Sequence, residues 1–313
     1  SDVCSSDLVI LFVALAHAVQ VRAHDGPCPV GTGNVRVFER ISDNTSGGYD
    51  SDLATYSSDG QWRTFRLATC ADNLFSLYGD DLLALTADQR KQLEGALPAA
   101  VAGVKDSKNP ELWERYAIAA SLYHALGKDD RFLGNLWLEA SWTARDTAIG
   151  FYAGLQGPKG ARALIDAGWE ELKKPLSVED RKKVLYNLAR IAHRGGWGDE
   201  RDGFLAAFEA AGPVTDREKE SLDRFRRFAQ VVEPALQDHA IEAFTAALRS
   251  QAPGDEKTRM TYLLADLLRR RGRLRDAAPL YFLVANDRDT PDELRELAVF
   301  LVTPIAEKLE KGG

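Results

Sequence analysis

Tyr262-Leu263-Leu264-Ala265-Asp266-Leu267-Leu268-Arg269-Arg270-Arg271-Gly272 is the stretch on which the fold turns. Leu264, Ala265 and Leu268 share a helix face ahead of a glycine, the residue that most readily adopts the left-handed backbone just past a helix end. Downstream, Ala277 and Tyr281 take a small and a large position of a second helix. Small residues let two helices approach closely, and an aromatic fills the gap to the next pair.

That spacing is the one found in tetratricopeptide hairpins. Weaker copies precede it. Ala119-Ala120, Tyr123 and Gly127 match the first helix, although Phe132 stands where the second needs a small residue. Around Gly196 the matching residues are Leu188, Ala189 and Ala192. From Thr86 onward the chain carries helix punctuation. Thr86 with Gln89, Ser177 with Asp180 and Thr215 with Glu218 are spaced as capping boxes. Asn109-Pro110-Glu111 offers an N-cap followed by proline at the first helical position, and Gly127, Gly195-Gly196 and Gly272 stand as helix stops. Short connectors predict stacked antiparallel hairpins. Residues 83–313 are therefore expected to form a tetratricopeptide-like helical-hairpin solenoid, since such units bury their faces only by stacking.

Upstream, residues 24–82 read as a small β module. Asn34-Val35-Arg36-Val37-Phe38-Glu39-Arg40-Ile41 places Val35, Val37 and Ile41 on one side at period two, with Phe38 on the other. Trp62-Arg63-Thr64-Phe65-Arg66-Leu67 predicts a second strand in which Phe65 and Leu67 share a face. The connection between them is rich in Asp, Ser, Thr and Gly and contains Tyr49-Asp50-Ser51-Asp52-Leu53. Asp50 and Asp52 at i, i+2 either cap a local turn or serve as cation ligands or an acid/base pair. Cys28-Pro29-Val30-Gly31 reads as the opening of a Cys-Pro-x-Cys-Gly zinc knuckle without its second thiol, and Cys70-Ala71-Asp72-Asn73 lacks the same thiol. The whole chain is thus expected to be mainly α, preceded by a degenerate zinc-ribbon-like β-hairpin module.

Residues 1–23 read as a signal peptide. The apolar run Leu8–Ala16 is too short to span a bilayer, and the small-residue patterns Ala16-His17-Ala18 and Val21-Arg22-Ala23 follow it. Cleavage after Ala23 is the preferred expectation. Ser1–Leu8 stands where a basic n-region belongs and resembles a translated sequencing-adapter oligonucleotide, so it is read as an assembly artefact. The protein is accordingly expected in the periplasm or outside the cell, with no membrane span after cleavage. A hydrophobic share of 45% with 28% charged residues is ordinary globular composition, and 313 residues suggest about two domains. The net charge of −7 excludes a basic nucleic-acid footprint.

The Cys-Pro knuckle, Tyr49–Leu53, Cys70, Arg115-Tyr116-Ala117, Trp137-Leu138-Glu139-Ala140-Ser141-Trp142-Thr143-Ala144-Arg145 and Tyr262–Gly272 follow one another in an order that resembles a bacterial family of uncharacterised proteins. That family joins an N-terminal zinc-ribbon-like module to tetratricopeptide-like helices, and the resemblance covers roughly Cys28–Ala306. It implies the fold and carries no activity with it. The chain departs from the family in lacking the second cysteine of both knuckles. A structural zinc site needs four good ligands, and Cys28, Cys70 and His24, with Asp25 or Asp72 as weak additions, fall short. If the ribbon fold is kept, its knuckles face each other and Cys28 and Cys70 come within disulfide reach. Two free buried thiols and a bound metal are the other outcomes. No cofactor is expected, zinc included.

No nucleophile elbow, phosphate-binding glycine loop or His-Glu-x-x-His helix is present. His124, His193 and His239 lie on separate predicted helices and read as structural. Arg269, Arg270 and Arg273 either grip an acidic partner or complement a helix C-terminus. Trp137 and Trp142, at i and i+5, cannot both lie on one narrow helix stripe, so one of them is a candidate interface anchor. The leading expectation is an exported, non-enzymatic scaffold or adaptor that binds a protein or peptide in its helical groove. The alternative is an enzyme or small-ligand binder with a site between module and helices, formed by Tyr49, Asp50, Asp52 and His24.

Overall fold

A computed structural model describes residues 19–58, 60–150 and 154–311. The apolar run Leu8–Ala16, Ser1–Leu8 and Cys4 lie outside them.

The described chain is mainly helical, with a small N-terminal β region. Strand β1 (Gln20–Pro27) pairs antiparallel with β2 (Asn34–Ser42). Two short strands follow, β3 (Gly48–Tyr49) and β4 (Thr55–Tyr56), then helix α1 (Trp62–Arg66), strands β5 (Leu67–Thr69) and β6 (Ser76–Tyr78), and helix α2 (Gly79–Leu83). β5 and β6 are antiparallel, and a bridge between Val35 and Cys70 joins them to β2. β1 begins at Gln20. A cut after Ala23 would therefore fall within this strand, whereas a cut after Ala18 leaves it whole.

Trp62–Arg66 is helical, against the extended reading, and only Leu67 enters a strand. The cause is what its side chains must reach. An extended run would put Arg63 and Phe65 on one face. In the helix they diverge: Arg63 turns inward to the Asp146 carboxylate (2.7 and 3.1 Å), while Phe65 meets the edge of Phe38 at 5.2 Å.

The helices are α3 (Ala87–Val101), α4 (Leu112–Ala125), α5 (Asp130–Ile149), α6 (Gly157–Leu172), α7 (Val178–Gly195), α8 (Gly198–Ala210), α9 (Asp216–Arg227), α10 (Glu233–Ser250), α11 (Asp255–Arg270), α12 (Leu274–Asn286) and α13 (Asp292–Lys311). A two-residue strand, β7 (Leu155–Gln156), precedes α6, and a π-helical turn, Phe228–Val232, joins α9 to α10. Thr86 and Thr215 form reciprocal capping boxes, and Ser177 accepts the Asp180 N–H. At α4 the cap is Glu111, extended at φ −60° and ψ 151°, rather than Asn109. The Glu114 carboxylate closes that turn on the Glu111 N–H at 2.8 Å.

Neighbouring helices pack in sequence: α3 on α4, α4 on α5, α6 on α7, α7 on α8, and α10 through α13 in turn. The most extensive helix–helix packing, however, is between α5 and α10, which are far apart in the chain. A purely one-dimensional stack would have each hairpin touch only its neighbours. Leu264, Ala265, Leu268, Ala277 and Tyr281, the residues of the hairpin pattern, are all buried.

The core is continuous across the expected junction at 82/83. Cys28, Val35, Cys70 and Leu77 belong to the same apolar cluster as Tyr116, Leu136 and Leu185. Cys28 and Cys70 are joined by a disulfide, Cα–Cα 5.8 Å, which ties the end of β1 to the end of β5. The one thiol left in each knuckle-like turn is thus joined to the other. Among the described residues no helix is long and apolar enough to cross a membrane.

Candidate functional site

The segment between β2 and α1 drives into the helices. Gly48 begins it at φ +86°, and a Cβ there would stand 1.9 Å from the Leu155 carbonyl oxygen, so only glycine fits. Gly48–Tyr49 thereby pairs with β4 on one side and, in parallel, with β7 on the other. The chain then turns tightly. Leu53 donates its N–H to the Asp50 carbonyl (3.1 Å), Asp50 to the Ala54 carbonyl (2.9 Å), and Leu53 occupies the left-handed region at φ +64°. The local turn expected for Asp50 and Asp52 is present. It also leaves Asp50, Ser51 and Asp52 wholly buried at the centre of the molecule.

Helical residues meet that tip. From α5, Arg145 donates to Asp50 (2.8 Å), to Asp52 (2.5 and 3.2 Å) and to Glu233 at the start of α10 (2.7 and 3.0 Å). From α7, Arg194 donates to the second Asp50 oxygen at 2.7 Å. The Tyr56 hydroxyl donates to Asp50, and the Tyr262 hydroxyl to the Ser51 carbonyl. Ser51 Oγ accepts from Arg269 (2.9 Å) and Arg270 (2.6 Å), whose guanidiniums also hold Asp266 at 2.7 and 2.8 Å. Arg269 and Arg270 then cap the end of α7 by donating to the carbonyls of Gly196 and Arg194. Gly196 sits at φ +75°, and a Cβ there would meet Arg269 at 2.5 Å.

Four carboxylates, Asp50, Asp52, Glu233 and Asp266, are thus matched by four guanidiniums, Arg145, Arg194, Arg269 and Arg270. Burial pushes Asp52 up, but Arg145 and Arg270 outweigh it and hold the carboxyl well below the usual range. The same contest at Glu233, won by Arg145 and His193, holds its pKa down to about 2. Burial likewise opposes charge on Arg145, and Asp52, Glu233 and Asp50 keep it protonated. Fully buried charges are tolerated only when paired and hydrogen-bonded, and this cluster meets that condition from within. The cluster holds the Asp50–Asp52 turn to α5, α7, α10 and α11.

Two clefts flank it. In the first, of about 310 Å³, His193 Nε2 lies 2.7 Å from Glu233 and Nδ1 lies 3.3 Å from the Arg201 guanidinium, with Gln230, Gln237, Arg270 and Arg271 nearby. Arg201 can only donate, so Nδ1 accepts and Nε2 carries the proton toward Glu233. Burial favours the neutral ring and lowers the His193 pKa despite that carboxylate. The π-helical turn delivers Glu233 here, as such turns often do at functional sites. The second cleft, of about 840 Å³, opens between the α7–α8 turn and α13. Trp197, Leu274, Phe300, Leu301, Pro304 and Ile305 line it, and Arg162, Asp199, Glu200 and Lys308 stand at its rim.

The residues singled out from sequence are distributed unevenly over these features. Asp50 and Asp52 come together, in the core and not in a cleft. Tyr49 packs over Gly157 at the start of α6. His24 is exposed on β1 and pairs with Glu39 on β2. Arg269 and Arg270 are buried on internal partners, while Arg273 is exposed and pairs with Asp276. Trp137 is half-buried and stacked on His239 of α10 at 4.4 Å. Trp142 is half-buried, with its indole N–H enclosed and lacking a hydrogen-bond partner. The His193–Glu233 pair, Arg145 and the Trp197 cleft were not singled out as a site. Gly195-Gly196-Trp197 was the available signal, since a double glycine beside an aromatic marks a turn that something approaches closely. Among the described residues there is no group of three or more His, Cys, Asp or Glu arranged to hold a metal ion. Set against known proteins, the chain matches no family model, no curated protein and no solved structure.

Proposed function

We propose that this chain is an exported, non-enzymatic scaffold, a tetratricopeptide-like helical solenoid that binds a protein or peptide partner. The observation that carries the reading is the Trp197–Ile305 cleft, a concave apolar floor with a charged rim on rigid helices. The central charged cluster supports it indirectly, because its carboxylates and guanidiniums are spent on one another. The disulfide supports export, since such bonds persist in oxidising compartments. The buried α11–α12 pattern supports the repeat assignment, and the meeting of Tyr49–Leu53, Trp137–Arg145 and Tyr262–Gly272 in one cluster supports kinship with the family those motifs resemble.

The partner site is tested by photo-crosslinking in envelope extract. A crosslinker at Thr303, exposed on the cleft wall, is expected to label a discrete partner, and one at Ser221, exposed on α9, is not. Equal labelling from both positions, or none from Thr303, counts against the scaffold.

A second reading has its own observation, the His193–Glu233 pair opening on the smaller cleft. It makes the protein a small-ligand binder or enzyme in which His193 Nδ1 accepts a proton. Imidazole nitrogen shifts of His193 that stay unmoved across a panel of small polar ligands would sink it.

A further inference from the structure

We infer that His193 is a proton-operated latch: its neutral ring holds Arg201 over the smaller cleft, and its imidazolium expels Arg201 and opens the cleft. The inference goes beyond both readings above and depends on neither. It stands on an arrangement of donors. Arg201, in the first turns of α8, donates through Nη1 to His193 Nδ1 at 3.3 Å, while Nε2 faces the Glu233 carboxylate at 2.7 Å. His193 and Arg201 both line the cleft. Protonation fills Nδ1, the one position at which this ring accepts. Two N–H donors and two positive charges then face each other across 3.3 Å, and one of them must move.

The surroundings decide which. The ring is fixed from several elements. Glu233 of α10 holds Nε2, and Arg145 of α5 and Gln237 of α10 hold Glu233 in turn. Phe225 of α9 stands edge-on at 5.5 Å, and Arg270 of α11 donates to the His193 carbonyl at 3.2 Å. Arg201 is less constrained. Among the described residues, its remaining side-chain hydrogen bonds go to Asp202, its sequence neighbour on α8, at 2.8 and 2.9 Å. Asp202 is already 47% exposed, so the two side chains can swing toward solvent as a pair. The charges facing the ring are opposed: Glu233 favours the imidazolium, while Arg201 and Arg145 disfavour it, as burial does. Moving Arg201 away removes one of the two opposing cations, so proton uptake and opening are one coupled event. The other cations of the cleft stay in place, Arg270 on Asp266 and Arg271 on Asp238, each at 2.8 Å.

The test is a pH titration of the full-length, disulfide-intact chain, followed by nuclear magnetic resonance with isotope-labelled histidine and arginine. At about pH 8 His193 should carry its proton on Nε2 and leave Nδ1 bare. As Nδ1 takes its proton, the Arg201 Nε–H signal should move with the same midpoint. Its exchange with water should quicken by at least about tenfold, while circular dichroism keeps its neutral-pH form. Arg201→Gln is the discriminating variant. Its amide can donate to the neutral ring or accept from the imidazolium, so the contact survives both states. The variant should raise the His193 pKa by about 1, whereas Arg201→Lys, which keeps a charge and a donor, should leave it near the wild-type value. The inference is overturned by a proton on Nδ1 at about pH 8, or by an Arg201 signal that ignores the His193 titration. It fails equally if the chain unfolds before His193 protonates, or if Arg201→Gln and Arg201→Lys give the same pKa. Should Arg201→Gln not fold, the wild-type titration decides by itself.

Discussion

Arg145 stands where three distant segments meet, and its chemistry argues for a specific cost of losing it. Its guanidinium serves Asp50, Asp52 and Glu233 in a fully buried setting. Arg145→Met keeps the bulk and removes the charge, leaving carboxylates uncompensated in the core. The expected loss is about 3–5 kcal/mol in urea unfolding, the scale for breaking a buried pair from one side. The pH dependence follows from the same groups. Asp52 and Glu233 have folded pKa values below their unfolded ones, so the stability they contribute is present above about pH 4.5 and is lost as pH falls, toward about 2 for Glu233. His193 is held below its ordinary 6.5, so the native state resists protonation and loses stability as pH falls below about 6.5. Urea midpoints measured from pH 7 to 3 should fall in two stages, and His193→Gln should flatten the upper one. Asp50 and Asp52 were visible in the sequence as a pair. Arg145 was visible only as the last letter of a motif, because nothing local marks an arginine whose partners lie more than ninety positions upstream and more than eighty downstream.

At the scale of elements, caps and stops were the most legible features, since a capping box or a C-terminal glycine acts within a few residues of itself. Thr86, Thr215 and Gly196 stand where their spacing put them. The segment Trp62–Leu67 was misread for the opposite reason: its conformation is set by Asp146 and Phe38, and neither is a neighbour in sequence. The disulfide sits between these cases. Two cysteines were evident, but their pairing required that β1 and β5 be brought together. Reducing that bond, or replacing both cysteines with serine, should cost roughly 2–4 kcal/mol, the entropy model allowing about 4 kcal/mol for a loop of this length. Mass under non-reducing conditions should first show the two hydrogens missing. An unfolding midpoint unchanged by reduction would show that the staple adds nothing.

For the whole molecule, module and helices share one apolar cluster and one set of buried ion pairs. The Asp50–Asp52 tip supplies half of the anionic charge that Arg145, Arg194, Arg269 and Arg270 require, and Arg63 and Arg66 of α1 pair with Asp146 and Glu139 of α5. A fragment of residues 83–313 should therefore not fold alone, although its helix signals are intact. It should show little cooperative melting by circular dichroism and rapid proteolysis, where a free-standing solenoid would melt sharply. By itself the sequence determined the helical character from Thr86 onward and several helix ends, the small β region and the candidate pair Asp50 and Asp52, because periodicity, capping and turn chemistry are local. Only the tertiary structure decided that α10 lies along α5, that the acidic turn is a buried clasp and not an open site, and that Trp197 and α13 enclose a cleft. Those depend on charges and apolar faces that are distant in the chain and find one another only when the core closes.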